Sequence, residues 1–108
     1  MTLEPQAYEL DGRELVAEAP GLRVQVLTVG PKQCVPWHHH TQISDSFFCL
    51  EGNLVLETRN PSSVVQLRAG ERAVVPPLQP HRVTAAEGVR CRFVIVQGVG
   101  TYDYLPEE

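Results

Sequence analysis

Apolar and polar residues alternate along several short stretches of this chain. Leu22, Val24 and Val26 alternate with polar neighbours, and the same period recurs around residues 54–56 and 91–96. A period of two residues is typical of a β-strand. Turn-forming Pro, Gly and Asn residues separate the stretches at intervals of about 8–12 residues, the spacing expected of a sandwich or barrel. The pattern therefore predicts an all-β domain, either a barrel or a jelly roll.

A helical interpretation has little room in this sequence. The best candidate, residues 14–19, would form only about one and a half turns. The chain has 108 residues, the size of one ordinary domain. We predict a single domain over residues 1–108, with its barrel core at about residues 20–98 and an extension at each terminus. We expect the acidic ends, 1–12 and 102–108, to be loose or to pack on a partner subunit.

Composition and charge exclude two classes of function. Hydrophobic residues make up 43% of the chain and charged residues 20%, as in ordinary globular domains. Nine basic against thirteen acidic residues give a formal net charge of -4, and Lys32 is the single lysine. The sequence therefore lacks the basic patch of a nucleic-acid binder. It also lacks a polybasic membrane patch and any apolar run approaching the ~18–20 residues of a membrane helix.

Cysteine usage bears on the cellular compartment. The chain has three cysteines, Cys34, Cys49 and Cys91, and an odd small number without a secretory signal is typical of reduced thiols. The first twelve residues are acidic and show no apolar stretch after a basic start, unlike a secretory signal. We therefore expect a cytoplasmic protein in which Cys49 and Cys91 fill the barrel.

Three of the four histidines form one internal run, His38-His39-His40. On a strand, residues two apart face the same side, so His38 and His40 point together and His39 points the opposite way. Two imidazoles side by side on one strand are a ready pair of metal ligands, and the alternative is a solvated polar strand end. Cys34 shares their parity, which predicts a position at the rim of the same site or, preferably, a small buried hydrophobe.

Two longer stretches carry a resemblance to a known family. The stretch WHHHTQISDSFFCLEG has two histidines with one residue between them, then four residues and a carboxylate, then six residues and a glycine. In GERAVVPPLQPH, a glycine is followed by a proline and then by His81. Seventeen residues separate Gly52 from Gly70. Together the stretches resemble the first and second motifs of the cupin superfamily, and the close resemblance covers residues 30–85.

Similarity to cupins implies a cup-shaped antiparallel β-barrel, also described as a double-stranded β-helix or jelly roll, with metal ligands pointing into its mouth. It implies that His38, His40 and His81 bind one divalent transition metal, with Asp45 as a fourth ligand. Three imidazoles and one carboxylate suit Fe, Mn, Co, Ni, Cu or Zn and do not distinguish among them.

The chain departs from the family pattern at four positions. Leu78 and Ala85 stand where the family usually has glycine and asparagine, and Gly30 is displaced; these changes concern turn geometry. Asp45 replaces the usual glutamate, and its side chain is one methylene shorter. Three roles stay open for Asp45: a direct ligand, a group acting through water or a histidine, or a general base beside the substrate.

Two functions follow from the resemblance. The first is a small metalloenzyme acting on a small molecule by dioxygenase, lyase or isomerase chemistry, with open positions on the metal. The second is a non-catalytic domain that binds or senses a small ligand. No second acid–base group is evident in the sequence, so no catalytic residue is predicted. A candidate substrate whose turnover stops on chelation would decide for the enzyme.

The strand pattern also predicts which apolar residues face inward and outward. Phe47, Phe93 and Ile95 are expected to line or floor the cavity. We expect a homodimer, because sheet edges and an outward apolar face need covering. The outward parity is shared by Phe48, Leu50, Val94 and Val96.

Overall fold

The computed structural model describes residues 8–108, and these form ten β-strands. The strands are β1 (Gly12–Ala19), β2 (Leu22–Val29), β3 (Cys34–His39), β4 (Ser44–Glu51), β5 (Asn53–Thr58), β6 (Ser63–Arg68), β7 (Arg72–Val75), β8 (His81–Ala85), β9 (Cys91–Gly98) and β10 (Leu105–Pro106). The predicted all-β class is therefore confirmed. The short stretch considered as a helix lies in β1. Among the described residues there is no helix whose length and hydropathy would let it cross a membrane.

Two five-stranded antiparallel sheets make up the barrel. One sheet has the order β1-β2-β9-β4-β7 and the other the order β10-β3-β8-β5-β6. Strands distant in sequence are neighbours in each sheet, as in the pairing of β2 with β9 and of β3 with β8. This is the double-stranded β-helix, or jelly roll, that the resemblance implied.

At one end of the barrel, the buried row of each sheet is polar. In the first sheet this row crosses β2, β9 and β4. In the second sheet it crosses β3, β8 and β5. The two rows define the polar end of the interior, formed by Arg23, Gln97, Asp45, His38, His81 and Thr58.

Further along the same strands, the inward side chains are apolar. They form one buried cluster whose removal from water is the main source of stability for a domain of this size. Cys49 and Cys91 belong to it, so their predicted role as barrel filling is confirmed. Apart from Val75, which pairs with Asp45 in the polar row, this cluster defines the apolar end of the interior, formed by Leu27, Val29, Val35, Phe47, Cys49, Leu54, Leu56, Leu67, Val83, Cys91, Phe93 and Ile95.

A register shift in β3 changes the side to which its first residues point. Val35 pairs with Val83 and His38 pairs with His81, so two residues separate consecutive inward side chains. Val35 is therefore in the core, whereas Cys34 is half-buried and belongs neither to the buried core nor to the cavity wall. The predicted position of Cys34 is wrong, because parity does not carry across a bulge.

The acidic C-terminal end packs on its own barrel. β10 pairs with β3, and the backbone N–H of Glu107 donates to the carbonyl of Trp37 at 2.9 Å. The backbone N–H of Thr41 donates to the carboxylate of Asp103 at 2.9 Å. This end is therefore not loose but held on the barrel of its own chain. The other acidic end includes residues 1–7, which lie outside the described residues.

Two turns brace the motifs. Gly52 has a φ of 71°, and a Cβ there would lie 2.4 Å from the carbonyl oxygen of Arg90, so no larger residue fits. Leu78, where cupins usually have glycine, also adopts the left-handed conformation with a φ of 73°. Its backbone N–H donates to the carbonyl of His40 at 2.7 Å. The turn at Leu78 therefore supports the chain at a candidate ligand.

Candidate metal centre

Four side chains from the two cupin-like motifs converge at the polar end. His38 and His40 come from β3 and the residue after it, Asp45 from β4, and His81 from the first position of β8. Their potential ligand atoms all lie within 4.8 Å of one another. None of the four is more than 3% exposed. His39, between the first two, is half-buried and points away, as its parity predicts.

The Asp45 carboxylate contacts the histidines directly. Its Oδ2 lies 3.0 Å from Nε2 of His40 and 2.8 Å from Nε2 of His81. Its Oδ1 accepts a hydrogen bond of 3.1 Å from Nε2 of Gln97. The missing methylene therefore does not leave the carboxylate out of reach of the cluster.

All three imidazoles are oriented by backbone carbonyls. A carbonyl only accepts, so Nδ1 of each ring carries the hydrogen and Nε2 presents its lone pair. At His40 and His81, that lone pair faces an oxygen of Asp45, and acceptors facing each other need a cation or a proton between them. The donor set therefore fits a metal ion. The carbonyl partners of Nδ1 are Pro36 for His38 (2.7 Å), Gln79 for His81 (3.0 Å) and Asp103 for His40.

The pKa values of His38 and Asp45 favour the protonation states that metal ligands need, whereas the pKa of His40 favours a proton that a bound metal ion would replace. Burial, together with the nearby His81 and His40, lowers the pKa of His38 from 6.5 to about 3, so this imidazole is neutral at pH 7. Burial alone would raise the pKa of Asp45, but hydrogen bonds with His40 and His81 outweigh it and lower the pKa. Burial likewise opposes a charge on His40, yet the contact with Asp45 outweighs it and raises that pKa. A neutral imidazole and an ionised carboxylate are the ligating forms.

A small inner cavity of about 30 Å³ adjoins the cluster. That volume holds about two water molecules, at ~10–15 Å³ for each. Phe47, Phe93 and Ile95 are among its lining residues, which confirms their predicted place at its wall or floor. The apolar floor excludes bulk water from one side of the four candidate ligands.

The sequence matches the family model described as Cupin domain over residues 25–97. The chain belongs to the cupin family. It is similar in structure to a conserved double-stranded β-helix protein from Klebsiella pneumoniae, with a TM-score of 0.78 and 26% identity over 98% of this chain and 91% of that one. No curated protein matches the sequence.

Two further solved structures share the fold. A cupin-2 domain-containing protein from Shewanella frigidimarina has a TM-score of 0.69 and 24% identity, with 83% of this chain and 82% of that chain covered. The oxalate decarboxylase of Lactobacillus farciminis, in a formate complex, has a TM-score of 0.78 and 15% identity over 96% of this cupin and 33% of that chain. At these identities the likeness shows the fold alone.

Two tyrosines of the C-terminal segment complete the wall of the site in this cupin. The ring of Tyr104 stacks on His38, with centroids 4.6 Å apart and planes 20° apart. The ring of Tyr102 lies 5.4 Å from that of His40. Neither tyrosine was predicted from the sequence, because this segment was expected to lie outside the barrel. Their spacing of two, typical of one strand face, was the available signal.

A buried arginine–glutamine pair was also missed. Arg23 is 4% exposed, and its Nε and Nη2 donate to Oε1 of Gln97 at 3.2 and 2.9 Å. Its guanidinium carbon lies 4.3 Å from the centroid of Tyr102. The alternation around residues 22–26 did not predict this pair. In this stretch the polar residues Arg23 and Gln25 point inward, whereas the apolar residues between them do not.

Proposed function

We propose that this cupin binds one divalent transition metal on His38, His40, Asp45 and His81 and uses it to transform a small molecule. The observation that carries the proposal is the convergence of three oriented imidazoles and one carboxylate, with ligand atoms within 4.8 Å of one another. When bound, the metal supplies a Lewis acid with open coordination positions, which dioxygenase, lyase and isomerase chemistry all use.

The surrounding residues hold the ligands and restrict water. Gln97 binds one oxygen of Asp45 and leaves the other toward the histidines. Tyr104 covers the face of His38. Burial raises the pKa values of Tyr102 and Tyr104, so both phenols keep their protons at neutral pH. They therefore serve as hydrogen-bond donors to a bound molecule rather than as bases.

One observation favours the second candidate, a non-catalytic domain that binds or senses a small ligand. Among residues 8–108, Asp45 is the only carboxylate that lines the inner cavity. If Asp45 is a ligand, the wall of that cavity offers no further carboxylate as a base. Turnover of a candidate substrate that stops on chelation and returns with added metal would support the enzyme. Binding without turnover would support the sensor.

The metal site is tested by elemental analysis of untagged protein and two neighbouring histidine variants. His81→Ala should abolish tight metal binding while the barrel stays folded. The metal affinity should fall by more than the ~100-fold expected when a residue that only hydrogen-bonds to a ligand is removed. His39→Ala is the matched control, because His39 lies in the same histidine run and points away from the cluster. Equal metal content in the two variants would refute the assignment. Unfolding on metal removal would show a structural rather than a functional site.

We also propose a cytoplasmic location. The support is that all three cysteines are free thiols, although Cys49 and Cys91 are buried in one cluster. Burial and the neighbouring Cys49 raise the pKa of Cys91 to about 11, so this thiol is an inert core residue.

A further inference from the structure

Arg23 lies in the wall between two cavities. It lines the small inner cavity beside the candidate metal centre and also an outer cavity of about 560 Å³. Gln97 and Tyr102 share this wall. The outer volume falls within the ~300–1,000 Å³ of typical small-molecule sites. Any ligand that extends from the outer cavity toward the cluster therefore passes the guanidinium.

One nitrogen of this guanidinium is unpaired. Arg23 is 4% exposed, and its Nη1 has no hydrogen-bond partner among residues 8–108. Gln97 occupies Nε and Nη2, and the ring of Tyr102 packs against the guanidinium at 4.3 Å. A buried donor without a partner is unfavourable, and more so when the group is charged. The arginine is thus held in one orientation with a donor free for an anion.

The charges around the site also favour an anionic ligand. Once a divalent metal is bound, the positive charges of the metal and of Arg23 together exceed the single negative charge of Asp45, since the imidazoles bind as neutral groups. Buried charge that is not compensated is unfavourable, so an anionic ligand is preferred over a neutral one. Glu18, the one acidic residue lining the outer cavity, is exposed and forms no ion pair with Arg23 within residues 8–108.

The remaining wall of the outer cavity indicates the body of the ligand. Leu22 and Ile43 line it together with residues that have little or no side chain, such as Ala19 and Gly21. We propose that Arg23 binds the carboxylate of a small carboxylic acid whose short apolar body lies in the outer cavity against Leu22 and Ile43. This inference rests on the proposed function, because it makes that acid the substrate class of the metal centre.

The test uses butyrate as the probe and butyramide, its uncharged counterpart, as the control ligand. Calorimetric titrations are made with Zn²⁺-loaded and with chelator-stripped protein, for wild type, Arg23→Gln and Arg23→Lys. Butyrate should bind wild type at least about tenfold more tightly than Arg23→Gln. Arg23→Lys should bind with intermediate affinity, because lysine keeps the positive charge but lacks the planar set of N–H donors of the guanidinium. Butyramide should show no dependence on residue 23. Arg72→Gln, an exposed arginine on β7, is the charge-matched control and should bind butyrate like wild type.

A second measurement uses only wild-type protein and so does not depend on the folding of the arginine variants. In wild-type protein, the NMR signal of the Arg23 Nε–H should shift on addition of butyrate but not of butyramide. Equal butyrate affinity in wild type and Arg23→Gln, or an unmoved Nε–H signal, would overturn the inference. Metal content is measured on the same samples. If the protein takes up no Zn²⁺ but still binds butyrate through Arg23, only the proposed metal function is refuted. If it takes up Zn²⁺ but binds butyrate independently of Arg23, only the present inference is refuted.

Discussion

On β9, Gln97 faces the candidate metal centre, whereas Phe93, four residues earlier on the same strand, lies in the apolar end. On β4, Asp45 and Cys49 differ in the same way. All four side chains are at most 7% exposed, so burial does not distinguish the two ends. Buried apolar groups stabilise the fold at roughly 25 cal/mol per Å², whereas buried polar groups cost free energy unless each finds a partner. The apolar end thus supplies the stability that allows the polar end to hold unfavourable groups.

The largest effect on stability is expected from the apolar end. Phe93→Ala should lower the free energy of unfolding by about 3–5 kcal/mol, because it leaves a cavity in the core. Urea denaturation of the metal-free protein measures this. Val94→Ala is the control on the next, outward-facing residue of the same strand, and it should cost roughly 1 kcal/mol or less. Similar losses for the two variants would contradict the place of Phe93 in the apolar core.

At the polar end, Asp45→Ala should change metal binding more than folding. Direct contact of Asp45 with two histidines predicts a loss of at least ~10–100-fold in Zn²⁺ affinity, measured by competition with a chelator. Asp45→Glu should keep the metal, since it restores the carboxylate reach usual in cupins. Glu51→Ala removes the same charge from an exposed position and should leave affinity unchanged. If Asp45→Ala binds Zn²⁺ like wild type, the site consists of three histidines and solvent.

The pH dependence of the metal-free protein should reveal the burial of His38. Its pKa is 6.5 in the unfolded chain and about 3 when folded. Between these values the unfolded chain binds the extra proton, so stability falls as the pH drops from 6.5 toward 3. Asp45, whose pKa is lowered from 3.8, adds a loss only below that pH. His40, with its raised pKa, contributes stability that is present below 6.5 and lost as the pH rises through its folded pKa.

His38→Gln should therefore flatten the decline of stability between pH 6 and pH 4. The change in slope is at most about 1.4 kcal/mol per pH unit, the value for one proton. Urea unfolding in the presence of chelator at several pH values measures it. A variant with the same slope as wild type would show that His38 titrates normally in the folded state.

The smallest effect on the interior is expected from the outer face of the first sheet. Phe48 and Val94 are direct partners there, and Phe48 is 36% exposed. We predict that this face is covered in a homodimer, so sedimentation at micromolar concentrations should give a dimer and Phe48→Glu a monomer of nearly unchanged stability. Val64→Glu, on the exposed outer side of β6, should leave the dimer intact. Wild-type protein that sediments as a monomer would refute the prediction.

The sequence by itself determined the class of the fold and the candidate ligands. Period-two alternation and regular turns are local properties, and they predicted the strands of an all-β domain. His38, His40, Asp45 and His81 could be named because the spacing within two short motifs is local too. The core positions of Cys49 and Cys91 followed from strand parity, since no register shift intervenes between either cysteine and its inward neighbours on the same strand.

Only the tertiary structure decided which other residues reach the site. Arg23 and Gln97 meet because β2 and β9 pair, although they are 74 residues apart in the chain. Cys34 was misplaced because a bulge in β3 reversed its parity, and Tyr102 was missed because the C-terminal segment turned out to pack on the barrel. Alternation says that neighbouring residues face opposite sides of a strand. Which side faces the interior is decided by the strands that pair with it and by the sheet packed across from it.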